Sequence, residues 1–186
     1  MHYRLFKNLT IFLFLISAVS LQAQTKVQWY KFSEVQKLQK KQQKPIFVDV
    51  YTNWCGPCKM LDAQTFGDAR VAEYLNKHFY PVKFNAEGND TIVFQGKMYI
   101  NENYDPSRAY SRNSTHPFAG YFAVQGGGLA YPTTAYMDSE LRHLVQPIQG
   151  FLTPQHIEPI LKYFGSKAYL SKSFEDFMKD FKPEWN

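Results

Sequence analysis

Cysteine is nearly absent from this chain. Only Cys55 and Cys58 occur in 186 residues, and that scarcity excludes several roles at once. Small folds stapled by disulfides carry more of them. A chain of this length can bury one proper core without staples. Zinc takes about four ligands, and neither a second cysteine pair nor a spaced histidine pair is present; His78, His116, His143 and His156 are scattered without pattern. Covalent haem attachment places a histidine directly after the second cysteine, where this chain has Lys59. Long apolar runs are also lacking: a bilayer-spanning helix takes about 20 apolar residues, and the run over residues 9–19 is about half that. Charge of one sign is modest. The formal net charge is +5, becoming +3 if Arg4 and Lys7 leave with a processed leader, which is too mild to argue for nucleic acid. The triple glycine Gly126-Gly127-Gly128 has no Gly-Lys-Ser/Thr after it, so it is no phosphate loop.

What is present is concentrated in Trp54-Cys55-Gly56-Pro57-Cys58. Two thiols at this spacing can close a small ring, and such motifs lower the first thiol's pKa at a helix start. A purely structural disulfide closing so short a loop would remove little unfolded-state entropy and stabilise weakly. By elimination the pair reads as a redox-active dithiol.

Arg4 and Lys7, the apolar run, and Ser20-Leu21-Gln22-Ala23-Gln24 form a secretory signal pattern with cleavage expected after Ala23. The expected product, about 160 residues, is one domain, soluble, and periplasmic or secreted. The ending Pro183-Glu184-Trp185-Asn186 is no retention signal, which favours a bacterial periplasm over a eukaryotic lumen.

Along the chain, Ser33 and Gln36 suggest a capping box opening a Lys- and Gln-rich helix to about Gln43, ended by Pro45. Residues 46–51 read as a buried central strand. The dithiol follows, with a helix beginning near Lys59, which places Cys55 at a helix N-terminus. Residues 66–78 are helical, 79–85 a strand, 133–137 and 143–148 two short strands, and Thr153-Pro154 opens a helix that Pro159 is expected to kink. Residues 91–100 are β-like around a Gly96-Lys97 turn, and an amphipathic helix from Ser171 or Ser173 carries Phe174, Phe177, Met178 and Phe181. The early strand and helix alternation followed by a hairpin argues for an α/β fold with a central mixed sheet flanked by helices.

Val48-Asp49-Val50, Trp54 to Lys59, Val82-Lys83-Phe84-Asn85, Tyr131-Pro132-Thr133 and Gly150 stand in an order that resembles the thioredoxin superfamily. The stretch from Lys44 through Phe66 is similar to exported thioredoxin-like proteins and to the C-terminal periplasmic domain of transmembrane disulfide reductases. The resemblance covers about 120 residues. It implies a thioredoxin-like domain over residues 24–165, with an insertion at about 86–130 before the cis-proline strand and an extra helical tail over 166–186. It further implies that Cys55 is an exposed attacking thiolate, Cys58 the resolving thiol, Asp49 the buried proton acceptor and Lys83 its partner. Trp54, Gly56, Pro57, Tyr131, Pro132 and Thr133 would flank the substrate, Pro132 as a cis-proline. No cofactor or metal is called for.

Those implications point to an exported thiol–disulfide oxidoreductase, mainly a reductase of protein or small-molecule disulfides, supplied with electrons by a membrane disulfide reductase. An oxidase or isomerase is the first alternative. A thioredoxin-like scaffold whose insertion and tail bind a partner is the second. The insertion's Tyr110, Phe118, Tyr121 and Phe122, with a hinge at Gly126-Gly127-Gly128, are expected either to cap the dithiol or to decorate the far side of the sheet.

Overall fold

A computed structural model describes residues 25–185, so the expected signal segment lies outside the described residues. Strand β1 (Ile46–Tyr51) is the centre of the sheet. It pairs in parallel with β2 (Tyr80–Asn85) and antiparallel with β5 (Thr133–Met137), and β5 in turn pairs antiparallel with β6 (Ile148–Gln149). The order is β2-β1-β5-β6, and Tyr30 adds a single parallel bridge to Val82 on the outer edge of β2. The sheet is therefore mixed. The 143–148 strand expected from sequence shrinks to Ile148–Gln149, because residues 138–142 fold into a turn held by Asp138 and only His143 bridges back to Met137.

A continuous apolar strand needs a layer on each face, and β1 has both. Ile46, Val48 and Val50 point into one core with α1 (Phe32–Gln39), while Phe47 points into a second with α2 (Gly56–Gln64), α3 (Ala69–His78) and α4 (Pro154–Gly165). Asp49 alternates with Val48 and Val50, so it shares the face of Phe47 and α2. The box that opens helix α1 lies two residues before the expected one: the Lys31 backbone N–H donates to the Glu34 carboxylate at 2.7 Å. It stops at Gln39, whose side-chain amide bonds both the N–H and the C=O of Lys44. Helix α4 runs through Pro159 from its Thr153 cap to Gly165.

The insertion is built into the first core. Its hairpin, β3 (Ile92–Phe94) and β4 (Lys97–Tyr99), turns at Gln95-Gly96 with φ of 50° and 75°, one residue before the expected place. A two-residue hairpin of this type needs positive φ at both central residues, which is why glycine takes the second. A 3₁₀ stretch, Pro117–Phe122, carries Phe118 and Phe122 into contact with Phe32 and Phe84. The two rings are 1% and 0% exposed. They are core, and the cap expected of them is not made by them. Tyr121 joins them half-buried, and Tyr110 alone stands free at 85% exposure. The glycine segment is a bonded turn: the Val124 N–H donates to the Gly128 carbonyl at 2.8 Å, and the Gly127 and Gly128 N–H groups return to Val124.

The tail also packs on its own domain. Helix α5 (Phe174–Asp180) opens at Ser173, and Trp185, 5% exposed, lies edge-on to Tyr74 of α3. Glu158, fully buried in α4, accepts the backbone N–H groups of Glu184 and Trp185 and pairs with Lys162 at 2.9 Å. Among the described residues no helix is long and apolar enough to cross a membrane.

Candidate active site

Cys55 caps α2 and is joined to Cys58 in a disulfide. Its sulfur accepts the Cys58 backbone N–H at 3.1 Å, one of the donors that a helix start leaves without a partner. Pro57 fits in this first turn because it has no N–H to lose there. A side chain on Gly56 would meet nothing within 4 Å, so the loop's outer surface is open at that residue. The sulfurs are less open: Cys55 is 2% and Cys58 3% exposed in the disulfide state. Cys55 was expected to be exposed. The loop is instead fastened on its N-terminal side, where Asn53 donates to the Ala109 carbonyl at 2.7 Å and the Trp54 indole N–H donates to Glu87 at 2.7 Å.

The carboxylate of Asp49 lies on the α2 face of β1, 1% exposed, with Lys83 opposite it in register on β2 and Thr134 on β5. One oxygen meets the Lys83 ammonium at 3.3 Å; the other, buried Oδ1, has no hydrogen-bond partner. Burial pushes the Asp49 carboxyl up to about 7, with Lys83 opposing the rise and the charge of Asp62 adding to it. Lys83 also bonds Asp62, four residues after Cys58 on α2, and it lies 5.0 Å from the Trp29 ring centroid. A half-exposed carboxylate, a part-buried ammonium and a buried carboxyl thus run inward in sequence.

On the other flank the Tyr131–Pro132 peptide bond is cis, Pro132 is buried, and its carbonyl accepts the Gly150 N–H at 2.9 Å. Tyr131 meets Trp54 edge-on at 6.0 Å. Burial, with the Glu87 charge adding, holds the Tyr131 phenol up at about 12, so it stays neutral. Thr133 bonds back to the Ala130 carbonyl and pairs with Val50, one residue from Asp49.

The residues expected from sequence therefore fall in one region, joined by contacts that sequence reasoning missed. Asp62 left a trace, because i and i+4 share a helix face and Cys58 is at i. Glu87 and Arg112 left none: Glu87 reaches Trp54 across 33 residues, and Arg112 stacks 4.3 Å from the Trp54 ring centroid. Glu87 also accepts the Asn113 N–H at 2.8 Å, tying the insertion to the dithiol loop. Among the described residues no group of three or more His, Cys, Asp or Glu could hold a metal ion.

A family described as Thioredox_DsbH, protein of unknown function DUF255, matches residues 16–103, a little under half of the chain. An uncharacterized protein of Archaeoglobus fulgidus is 33% identical over 78 residues, which are 41% of this chain; the chain spans 61% of that relative's length. Among solved structures, a proposed disulphide-isomerase from Bacteroides thetaiotaomicron is 23% identical with a TM-score of 0.50, covering 80% of this chain and 98% of that one. A DsbH oxidoreductase is 18% identical with a TM-score of 0.49, covering 81% and 89%. The oxidised DsbD C-terminal domain of Neisseria meningitidis is 15% identical with a TM-score of 0.45, covering 72% and 90%. The first of these three shows the fold.

A Cys-x-x-Cys disulfide at a helix start, with a buried carboxyl on the same face of the sheet and a cis-proline loop beside it, is an arrangement able to exchange thiols and disulfides. The chain has a thioredoxin-like fold.

Proposed function

We propose that this protein is an exported thiol–disulfide oxidoreductase that works mainly in the reducing direction. Asp49 is the observation that carries the reading. A carboxyl buried with one oxygen unbonded is costly to folding, and a scaffold would lose nothing by replacing it. A carboxyl titrating near 7 is suited to move a proton at neutral pH.

In the proposed cycle the Cys55 thiolate attacks one sulfur of a substrate disulfide. That S–S bond breaks, a Cys55–substrate bond forms, and the departing thiolate takes a proton from water. Cys58 passes its proton to Asp49 and attacks the Cys55 sulfur; the Cys55–substrate bond breaks, and the second substrate sulfur leaves as a thiolate that is protonated as Asp49 gives its proton up again. Two electrons have moved to the substrate, and the protein is left in its Cys55–Cys58 disulfide state. Lys83 modulates Asp49, while Trp54, Gly56, Pro57, Tyr131, Pro132 and Thr133 frame the bound chain. An external dithiol returns the electrons; a membrane disulfide reductase fits that role outside the cytosol. The leader over residues 1–23 supports a periplasmic or secreted location.

Trapping tests the roles. The Cys58→Ser variant, offered a disulfide peptide, should accumulate a mixed disulfide on Cys55. The Cys55→Ser variant should accumulate far less. A reversed pattern would exchange the two roles, and no adduct on either would remove the function.

A further inference from the structure

We infer that Arg112 makes the insertion rim a recognition surface for disulfides flanked by carboxylates. This rests on the oxidoreductase reading and names the substrate class of that same site.

Four arginines lie in the described residues. Two are occupied, Arg70 by Asp68 and Arg142 by Asp138 and Glu140. Arg108 and Arg112, both on the insertion and both exposed, make no ion pair among the described residues. Arg112 is nonetheless positioned: its guanidinium sits 4.3 Å from the centroid of Trp54, the residue that precedes Cys55. One member of that stack is held directly and the other through its chain neighbour. Trp54 is held by its indole N–H on Glu87, and the backbone of Asn113, next to Arg112, is held by the same carboxylate. Glu87 itself is 8% exposed and takes both of these bonds on Oε2, holding the rim in place, and it makes no ion pair with the guanidinium.

A stacked guanidinium keeps its N–H fork free at the ring's edge, where it can take a carboxylate in two parallel bonds. Stacking also restricts the side chain beforehand, which lowers the ordering cost on binding. Asp105, which caps the 3₁₀ turn of residues 106–108, turns one oxygen inward to the Ser107 N–H and hydroxyl and makes no ion pair with Arg112. A substrate whose disulfide enters over Gly56, the open residue of the loop, would place its flanking residues near this fork.

Three disulfides test the inference at low ionic strength, with dithiothreitol as the electron source: a peptide disulfide with Asp beside each cysteine, the same peptide with Lys there, and glutathione disulfide. For the wild type, kcat/KM for the Asp peptide should exceed that for the Lys peptide. Arg112→Gln should shrink the ratio by about threefold to fivefold, the worth of one partly exposed charge pair, with the Asp peptide's rate falling and the Lys peptide's not falling. Arg112→Lys should restore part of it. Loss with the Asp peptide alone assigns the surface to acidic protein segments, and equal loss with glutathione disulfide extends it to small anionic disulfides. An unchanged ratio, or an equal fall for Asp and Lys peptides, would overturn the inference and leave Arg112 a support for Trp54. If the wild type reduces none of the three, the oxidoreductase reading fails and this inference falls with it.

Discussion

Asp49 is the residue at which folding and chemistry pull against each other. Its folded-state value, about 7, lies above the ordinary 3.8. Between those values the folded protein keeps a proton that the unfolded chain has released, so Asp49's contribution to stability is most favourable below about pH 4 and falls as pH rises toward 7. The whole penalty is roughly 4 kcal/mol. The Asp49→Asn variant should escape it: in urea titrations its stability relative to wild type should climb from pH 4 to 7 and level off above. The same substitution should slow the step in which Cys58 resolves a mixed disulfide by roughly a hundredfold near neutral pH, the loss shrinking at high pH where the thiol ionises unaided. An equal loss at every pH would make Asp49 structural. This residue was legible in the sequence because a carboxylate inside an apolar strand is conspicuous. Glu87 and Arg112 were not, since each acts through a contact made by distant loops and carries no local pattern of its own, while Asp62 left only its i,i+4 spacing from Cys58.

At the scale of elements, β1, β5 and the helices that follow the dithiol were readable from periodicity and caps. Thr153, Asp68 and Ser173 cap helices by accepting backbone N–H groups, as their residue types dictate. The insertion was not readable. Its aromatic residues have no regular period, and whether such a cluster covers a site or fills a core is decided by which face of the sheet lacks a helix. Here α1 covers only part of its face, and Phe94, Phe118 and Phe122 complete it. Phe118→Ala should therefore cost about 3–5 kcal/mol in denaturant unfolding. Replacing residues 88–128 with a short turn should abolish cooperative folding. Near wild-type stability in either variant would return the segment to the status of a surface decoration.

The whole molecule is two cores divided by one sheet, with the dithiol loop joined to the first by the insertion and to the second by α2. The C-terminal tail closes the second core far along the chain, through Trp185 on Tyr74 and the buried Glu158. Trp185→Ala should destabilise by roughly 3 kcal/mol while the folded variant exchanges disulfides at the wild-type rate, because none of Trp185's contacts touches the dithiol loop. Calorimetry alongside an insulin-reduction assay checks both halves of that expectation.

On the function proposed above, Cys55 and Cys58 form a dithiol that gives electrons away, in spite of sulfurs that are almost wholly covered when oxidised. Equilibrating the folded protein with dithiothreitol and glutathione buffers, and quantifying the Cys55–Cys58 disulfide by mass after acid quenching, measures this directly. Reversible two-electron titration of the folded protein is expected, with a potential near the thioredoxin value of about −270 mV. A disulfide that resists reduction until the protein unfolds, or a potential close to the roughly −120 mV of a strong oxidant, would contradict it.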